Sequence, residues 1–154
     1  MPSPRYAVAL HVEPRYAARV RSRTLAALAR RVLAAEGAET GSALSIVVTD
    51  DATVRDLNKR FLGIDEPTDV LSFGLSAKTR FVTSSAAERQ LGEVVISFPT
   101  AQLQARQAGH PLDDELAHLL VHGMLHILGY DHQRPAQARL MRAREDELLR
   151  RSAH

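Results

Sequence analysis

Apolar positions recur along this chain in two periods, and the switches between them mark out its elements. Residues 6–12 are short, apolar and bounded by prolines, which predicts a strand. From residue 16 to 36, alanine, leucine and valine fall at helical spacing with arginines between them. Gly37 follows as a stop, so one continuous helix is expected there. Ala43–Val48 reads as a second strand. Asp50 or Asp51 stands where an N-cap belongs, opening a helix through Val54, Leu57 and Phe61 that ends near Gly63. The turn-rich stretch after Gly63 becomes a strand at Val70–Phe73, residues 75–90 read as a mobile polar loop, and Leu91–Ser97 is a fourth strand. Pro99 suits the first turn of a helix over Thr100–Gln107. After a break at Gly109 to Pro111, a helix from about Leu112 to Leu128 carries Asp113, Asp114 and Glu115 in its first turn, where the helix dipole favours acids. A last helix is expected over about Ala136–Arg151.

Four short strands and about five helices that do not strictly alternate predict an α+β fold, a mixed four-stranded sheet with helices packed on it. A chain of 154 residues, 45% of them hydrophobic, suits one domain over residues 1–154 with one core. There is no cysteine, which removes disulfides, thiolate zinc sites and cysteine nucleophiles together and fits a reducing cytosol. Any transition metal must therefore be held by His, Asp or Glu. No run approaches the roughly 18 apolar residues of a membrane span, and no apolar leader follows Met1. A soluble cytoplasmic protein with no membrane partner is expected. The net charge is only +2, but arginine is clustered. Arg15, Arg19, Arg21, Arg23, Arg30 and Arg31 crowd the first third, and Arg134, Arg139, Arg142, Arg144, Arg150 and Arg151 the end. Such clusters suit phosphate backbones, while solvated helix faces partly paired with Glu145, Asp146 and Glu147 explain them equally well.

The most informative segment runs from Val121 to His132. Residues four apart on a helix are neighbours on one face, about 5–6 Å between β-carbons, so His122 and His126 can point at one ion. Gly129 stands three residues later, where a helix that must stop and turn back wants a residue tolerant of positive φ, and the turn lets His132 reach the same ion. Three imidazoles with a position left open suit a catalytic zinc, and histidine-only ligation favours one Zn2+ over magnesium or calcium. A lone histidine on an apolar helix face is usually a packed core residue; three at this spacing, with the glycine in place, are not explained that way. His118, four residues before His122, offers an alternative pair but leaves the turn unexplained, so it is read as supporting or packing. His11, His110 and His154 have no such context. The spacing is the zincin-like peptidase pattern H-E-x-x-H-x-x-G-x-x-H in every ligand and in the glycine, except that Gly123 replaces the general-base glutamate. Proteolysis by that route is disfavoured.

Together these residues resemble the YbeY family of bacterial rRNA maturation factors and metal-dependent endoribonucleases. The likeness rests on Leu57-Asn58, on the loop Pro67–Phe73, on Leu91-Gly-Glu-Val-Val-Ile-Ser97 and on the block His118–His132, with Met141 and Glu145–Glu147 matching the family's closing helix. The resemblance implies zinc on His122, His126 and His132, action on single-stranded RNA, maturation of the 16S rRNA precursor at its 3′ end, ribosome quality control, and the small ribosomal subunit or its proteins as partners. Two departures stand out. Many members carry an arginine implicated in activity where this chain has Leu62, and many carry aspartate at Glu93.

On this reading zinc acts as a Lewis acid on a scissile phosphate or activates a water, while basic side chains hold flanking phosphates. Asp131 and Glu93 are the candidate proton acceptors; otherwise Asp131 orients a ligand histidine and Glu93 is a solvated strand residue. Thr68, Asp69, Ser72 and Arg60 are candidate RNA contacts, although Thr68 and Asp69 could simply cap a turn. Two other readings use the same residues: a zinc hydrolase of another class, peptidase-like, with its carboxylate outside the helix, and a non-catalytic ribosome-assembly factor with a structural metal.

Overall fold

The computed structural model describes residues 6–74, 89–130 and 133–152. Its sheet is ordered β1-β2-β4-β3, from β1 (Ala7–Val12), β2 (Ser42–Thr49), β3 (Val70–Gly74) and β4 (Arg89–Ser97). β1, β2 and β4 run parallel and β3 pairs antiparallel with β4, so the sheet is mixed. β2 is buried or half-buried along its whole length, as expected of a central strand between parallel neighbours. β4 begins two residues before the predicted Leu91 and pairs from Arg89 onward. The rest of the loop expected at 75–90 lies outside the described residues.

Side chains alternate across β4, and the alternation sorts the helices. Val94 and Ile96 enter the main core with α1 (Ser22–Ala35), α4 (Leu112–Ile127) and α5 (Pro135–Ser152). Val95 faces the other way and packs with Leu71 and with Val54 of α2 (Asp51–Leu62) in a smaller cluster. α3 (Phe98–Ala108) follows β4 directly; Ser97 caps it through Thr100 N–H and Pro99 sits in its first turn, as expected.

The single helix expected over 16–36 is instead two pieces, a short 3-10 helix at Pro14–Arg19 and then α1. Two tertiary contacts divide it. Tyr16 stacks on Phe98 with ring centres 4.3 Å apart, and Val20 is extended (φ −116°) and buried in the core. Burying a valine contributes about 1.5–3 kcal/mol, more than a helical turn gains from propensity.

α4 is the central helix. Leu116, Leu119, Leu120, Val121, Met124 and Leu125 are all buried, which leaves one outward stripe at i, i+4 spacing: His118, His122 and His126. The helix ends where the sequence predicts. Gly129 adopts φ 105°, its N–H donates to the His126 carbonyl at 3.2 Å and Tyr130 N–H to the Leu125 carbonyl at 2.9 Å, a paired closure that reverses the chain just after His126. Among the described residues no helix is long and apolar enough to cross a membrane.

The start of α2 is likewise fixed by one side chain. Asp50 accepts a hydrogen bond from Thr53 N–H at 2.7 Å, and the hydrogen bonds from Thr53 hold its carboxyl below the usual carboxylate value. Asp50→Ala is expected to lower stability by about 1 kcal/mol in urea unfolding at neutral pH. Because the folded-state value is depressed, the difference from the unaltered protein should be full above the ordinary carboxylate range and shrink as pH falls through the depressed value.

Candidate functional site

His122 and His126 point from α4 into an open cleft of about 430 Å³, their ring centres 5.0 Å apart. The opposite wall is the loop before β3 and the strand itself: Thr68, Asp69 and Ser72 line it, and Leu62, at the end of α2, forms the lip with 52% of its surface exposed. Three of the four predicted RNA contacts are therefore brought together with the two helical histidines.

The loop is rigidly held. Asp69 accepts from Val70 N–H at 2.8 Å and from Gln104 Nε2 at 3.3 Å, and its backbone carbonyl accepts from Ser97 N–H at 2.9 Å. Asp69 thus both lines the cleft and caps the turn that enters β3. Buried Asn58 donates from Nδ2 to the Glu66 carbonyl at 2.9 Å and ties the other end of the loop to α2. Ser72 Oγ donates to the Gly123 carbonyl at 2.9 Å, joining the strand wall to the histidine helix.

That hydrogen bond marks the closest approach of α4 to the sheet. A β-carbon on Gly123 would lie 2.8 Å from Val94 Cγ1 and 3.0 Å from Ser72 Oγ, so the helix can lie this deep only without a side chain there. The peptidase glutamate is missing at this position for a packing reason: it would point into the sheet.

Two predicted residues are placed elsewhere. Arg60 is on the outer face of α2, with Nε 3.6 Å from Asp56 and not on the cleft wall. Glu93 sits between Gly92 and Val94, whose sides face α4, so its side chain leaves the opposite face of the sheet from His122. It is not brought to the cleft as a proton acceptor. Asp131 and His132 lie outside the described residues. Among the described residues no three His, Asp or Glu side chains are grouped to hold a metal ion.

One residue is placed differently from the sequence reading, which set Glu145 beside arginines on a solvated face. Glu145 of α5, only 5% exposed, reaches both His122 and His118: one carboxylate oxygen forms a short hydrogen bond with His122 Nδ1, and the other lies 3.5 Å from His118 Nε2. Burial alone would push this carboxyl up, but the hydrogen bonds with His118 and His122 outweigh it and hold it at about 2. Reciprocally, the bond to Glu145 raises His118 above the ordinary histidine value. The signal was present in the sequence: Met141, Glu145 and Leu148 fall at i, i+4, i+7, which puts the acid on the buried stripe of α5. His110 also has a partner, Glu115, at 2.7 Å.

A larger groove, about 780 Å³, runs between α1, the first half of α4 and α5. Its floor is leucine and its rim is charged and partly self-paired, Arg21 with Asp113 at 3.2 Å; His110 and His118 line it, but neither His122 nor His126 does.

Two imidazoles converging on an open cleft beside hydroxyl and carboxylate groups can hold an ion or polarise a bond for attack by water, the chemistry of a hydrolase. Comparison with known proteins gives the family: the chain belongs to the endoribonuclease YbeY family, whose model matches residues 12–153. Proteins named endoribonuclease YbeY include one from Dehalococcoides mccartyi, 41% identical over 143 residues, covering 88% of this chain and 89% of that one. Another, from a Roseiflexus species, is 44% identical over 145 residues, covering 93% and 91%, and one from Chloroflexus aggregans is 47% identical over 123 residues, covering 79% and 80%. The solution structure of TM1509 from Thermotoga maritima shares the fold, with a TM-score of 0.61 at 21% identity over 94% of this chain and 88% of that one.

If the α4–sheet contact excludes a side chain at residue 123, Gly123→Glu should not restore a peptidase. Overpacking of about 1–3 kcal/mol outweighs a helix-propensity gain of about 1 kcal/mol or less, so thermal unfolding should occur at lower temperature and casein cleavage should stay at background.

Proposed function

We propose that this protein is a zinc-dependent endoribonuclease of single-stranded RNA, with one Zn2+ held by His122, His126 and His132. The observation that carries the reading is the pair of imidazoles facing one open cleft in a chain of the endoribonuclease YbeY family. Two imidazoles set by one helix suit a borderline metal such as zinc, and the cysteine-free sequence leaves nitrogen and oxygen as the donors. When bound, such an ion supplies Lewis acidity to a phosphate oxygen. The chain's own residues do the rest. Ser72, whose proton goes to the Gly123 carbonyl, can accept from a sugar hydroxyl, and Thr68 presents a second hydroxyl; the loop over 66–69, tied to Asn58 and Ser97, positions Thr68 beside a strand laid in the cleft. With Glu93 on the far side of the sheet, Asp131 is the remaining candidate to accept the attacking proton.

The substrate we assign is the 16S rRNA precursor near its 3′ end, in the cytoplasm and in association with the small ribosomal subunit, as the family resemblance implies. A peptidase reading needs a free carboxylate in the cleft beside His122 and His126; the packing at Gly123 denies it the helix position, Asp69 is taken up by Val70 N–H and Gln104, and Glu145 is engaged by His122 Nδ1 and His118 outside the cleft lining.

Metal analysis of the purified protein should find about one zinc per chain, and His126→Ala should lose it together with cleavage of a single-stranded RNA oligonucleotide while keeping its helical circular dichroism. Zinc-independent cleavage, or RNA binding without cleavage in either protein, overturns the reading. No arginine lines the described cleft, so Leu62→Arg should tighten RNA binding and steepen the dependence of log affinity on log salt by about one.

A further inference from the structure

We infer that Glu145 is the positioning residue of the histidine site: by taking Nδ1 of His122 it turns the Nε2 side of that ring to the cleft. The inference rests on the zinc reading proposed above, and it assigns a task to a residue that touches neither metal nor RNA. The carboxylate comes from α5 and lies between two histidines of α4, one on each oxygen: His122 Nδ1 donates to Oε2 and His118 Nε2 lies 3.5 Å from Oε1. With an imidazole at each oxygen, the carboxylate is held from both sides. A ligand imidazole whose second nitrogen donates to a carboxylate is fixed in tautomer and ring orientation and is a better donor to the metal.

A purely structural role for Glu145 fits the surroundings poorly. Its neighbours on the same stripe of α5, Met141 and Leu148, are 1% and 3% exposed, and an apolar side chain at 145 would continue that packing. Replacing a whole buried ion pair with apolar residues commonly leaves stability unchanged or raised, and the cost of removing one partner comes from the charge left buried. His118 and His122 keep 45% and 28% of their side-chain surfaces in solvent, so both rings can be hydrated if the carboxylate is removed. Packing alone gives no reason for a charge at this place; orienting His122 does.

The test measures zinc affinity by competition with a chromophoric chelator, the absorption spectrum of the cobalt-substituted protein, and the melting temperature of the metal-free protein. For Glu145→Met the expected result is about 100-fold weaker zinc binding and an altered cobalt spectrum in a metal-free protein that still unfolds cooperatively. Glu145→Gln keeps an acceptor oxygen for Nδ1 without the charge, so about tenfold of affinity should be lost. Zinc affinity and cobalt spectrum unchanged in Glu145→Met, in a preparation where His126→Ala has lost zinc, overturn the inference and leave the proposed function standing. Equal zinc binding by the unaltered protein and His126→Ala overturns both. If Glu145→Met does not fold, Glu145→Gln decides, and unaltered affinity there overturns the inference.

Discussion

Helix α4 lies directly on β3 and β4 at Gly123, with Val94 and Ser72 so close that no side chain fits between backbone and sheet. Both walls of the cleft take their separation from this contact. The histidine wall is α4 itself; the polar wall is β3 and the loop leading into it, tied to the helix through Ser72 and the Gly123 carbonyl. Because the spacing is set by packed backbone rather than by long side chains, His122 and His126 face Thr68 and Ser72 across a gap that rotamer motion does not widen.

The same contact separates two kinds of chemistry that share a histidine spacing. In the peptidase pattern the residue after the first histidine carries the base; here that direction is filled by the sheet. The helix gains burial along most of its circumference, Leu116, Leu120, Val121, Met124 and Leu125 among it, and retains only the stripe of His118, His122 and His126 for function. On the proposed reading, whatever handles the proton must come from outside the helix.

Much of this was readable in the residues because local rules govern it. The i, i+4 pair His122 and His126, the reversal at Gly129, the cap at Asp50 and Pro99 in the first turn of α3 each depend on a few neighbouring positions, and each stands where expected. What was not readable depends on distant partners. Val20 breaks the first helix because the core takes it and Phe98 holds Tyr16. The side of the sheet on which Glu93 emerges is decided by the helix that covers Val94. Arg60 lost its place at the cleft because Leu62, two positions on, turns to the lip instead. Glu145 is intermediate: its periodicity with Met141 and Leu148 gives its burial, but not the two histidines it meets.

Helix α5 is held at adjacent residues that pull in different directions. Arg144 Nε lies 2.6 Å from Glu36, just past the end of α1, and Nη2 donates to the Ala35 carbonyl at 3.2 Å, while Glu145 turns to His122. The groups these anchors grip lie more than twenty and more than one hundred residues earlier in the chain. During synthesis the histidine helix therefore emerges before the carboxylate that meets His122, and that contact forms only once α5 has followed and docked.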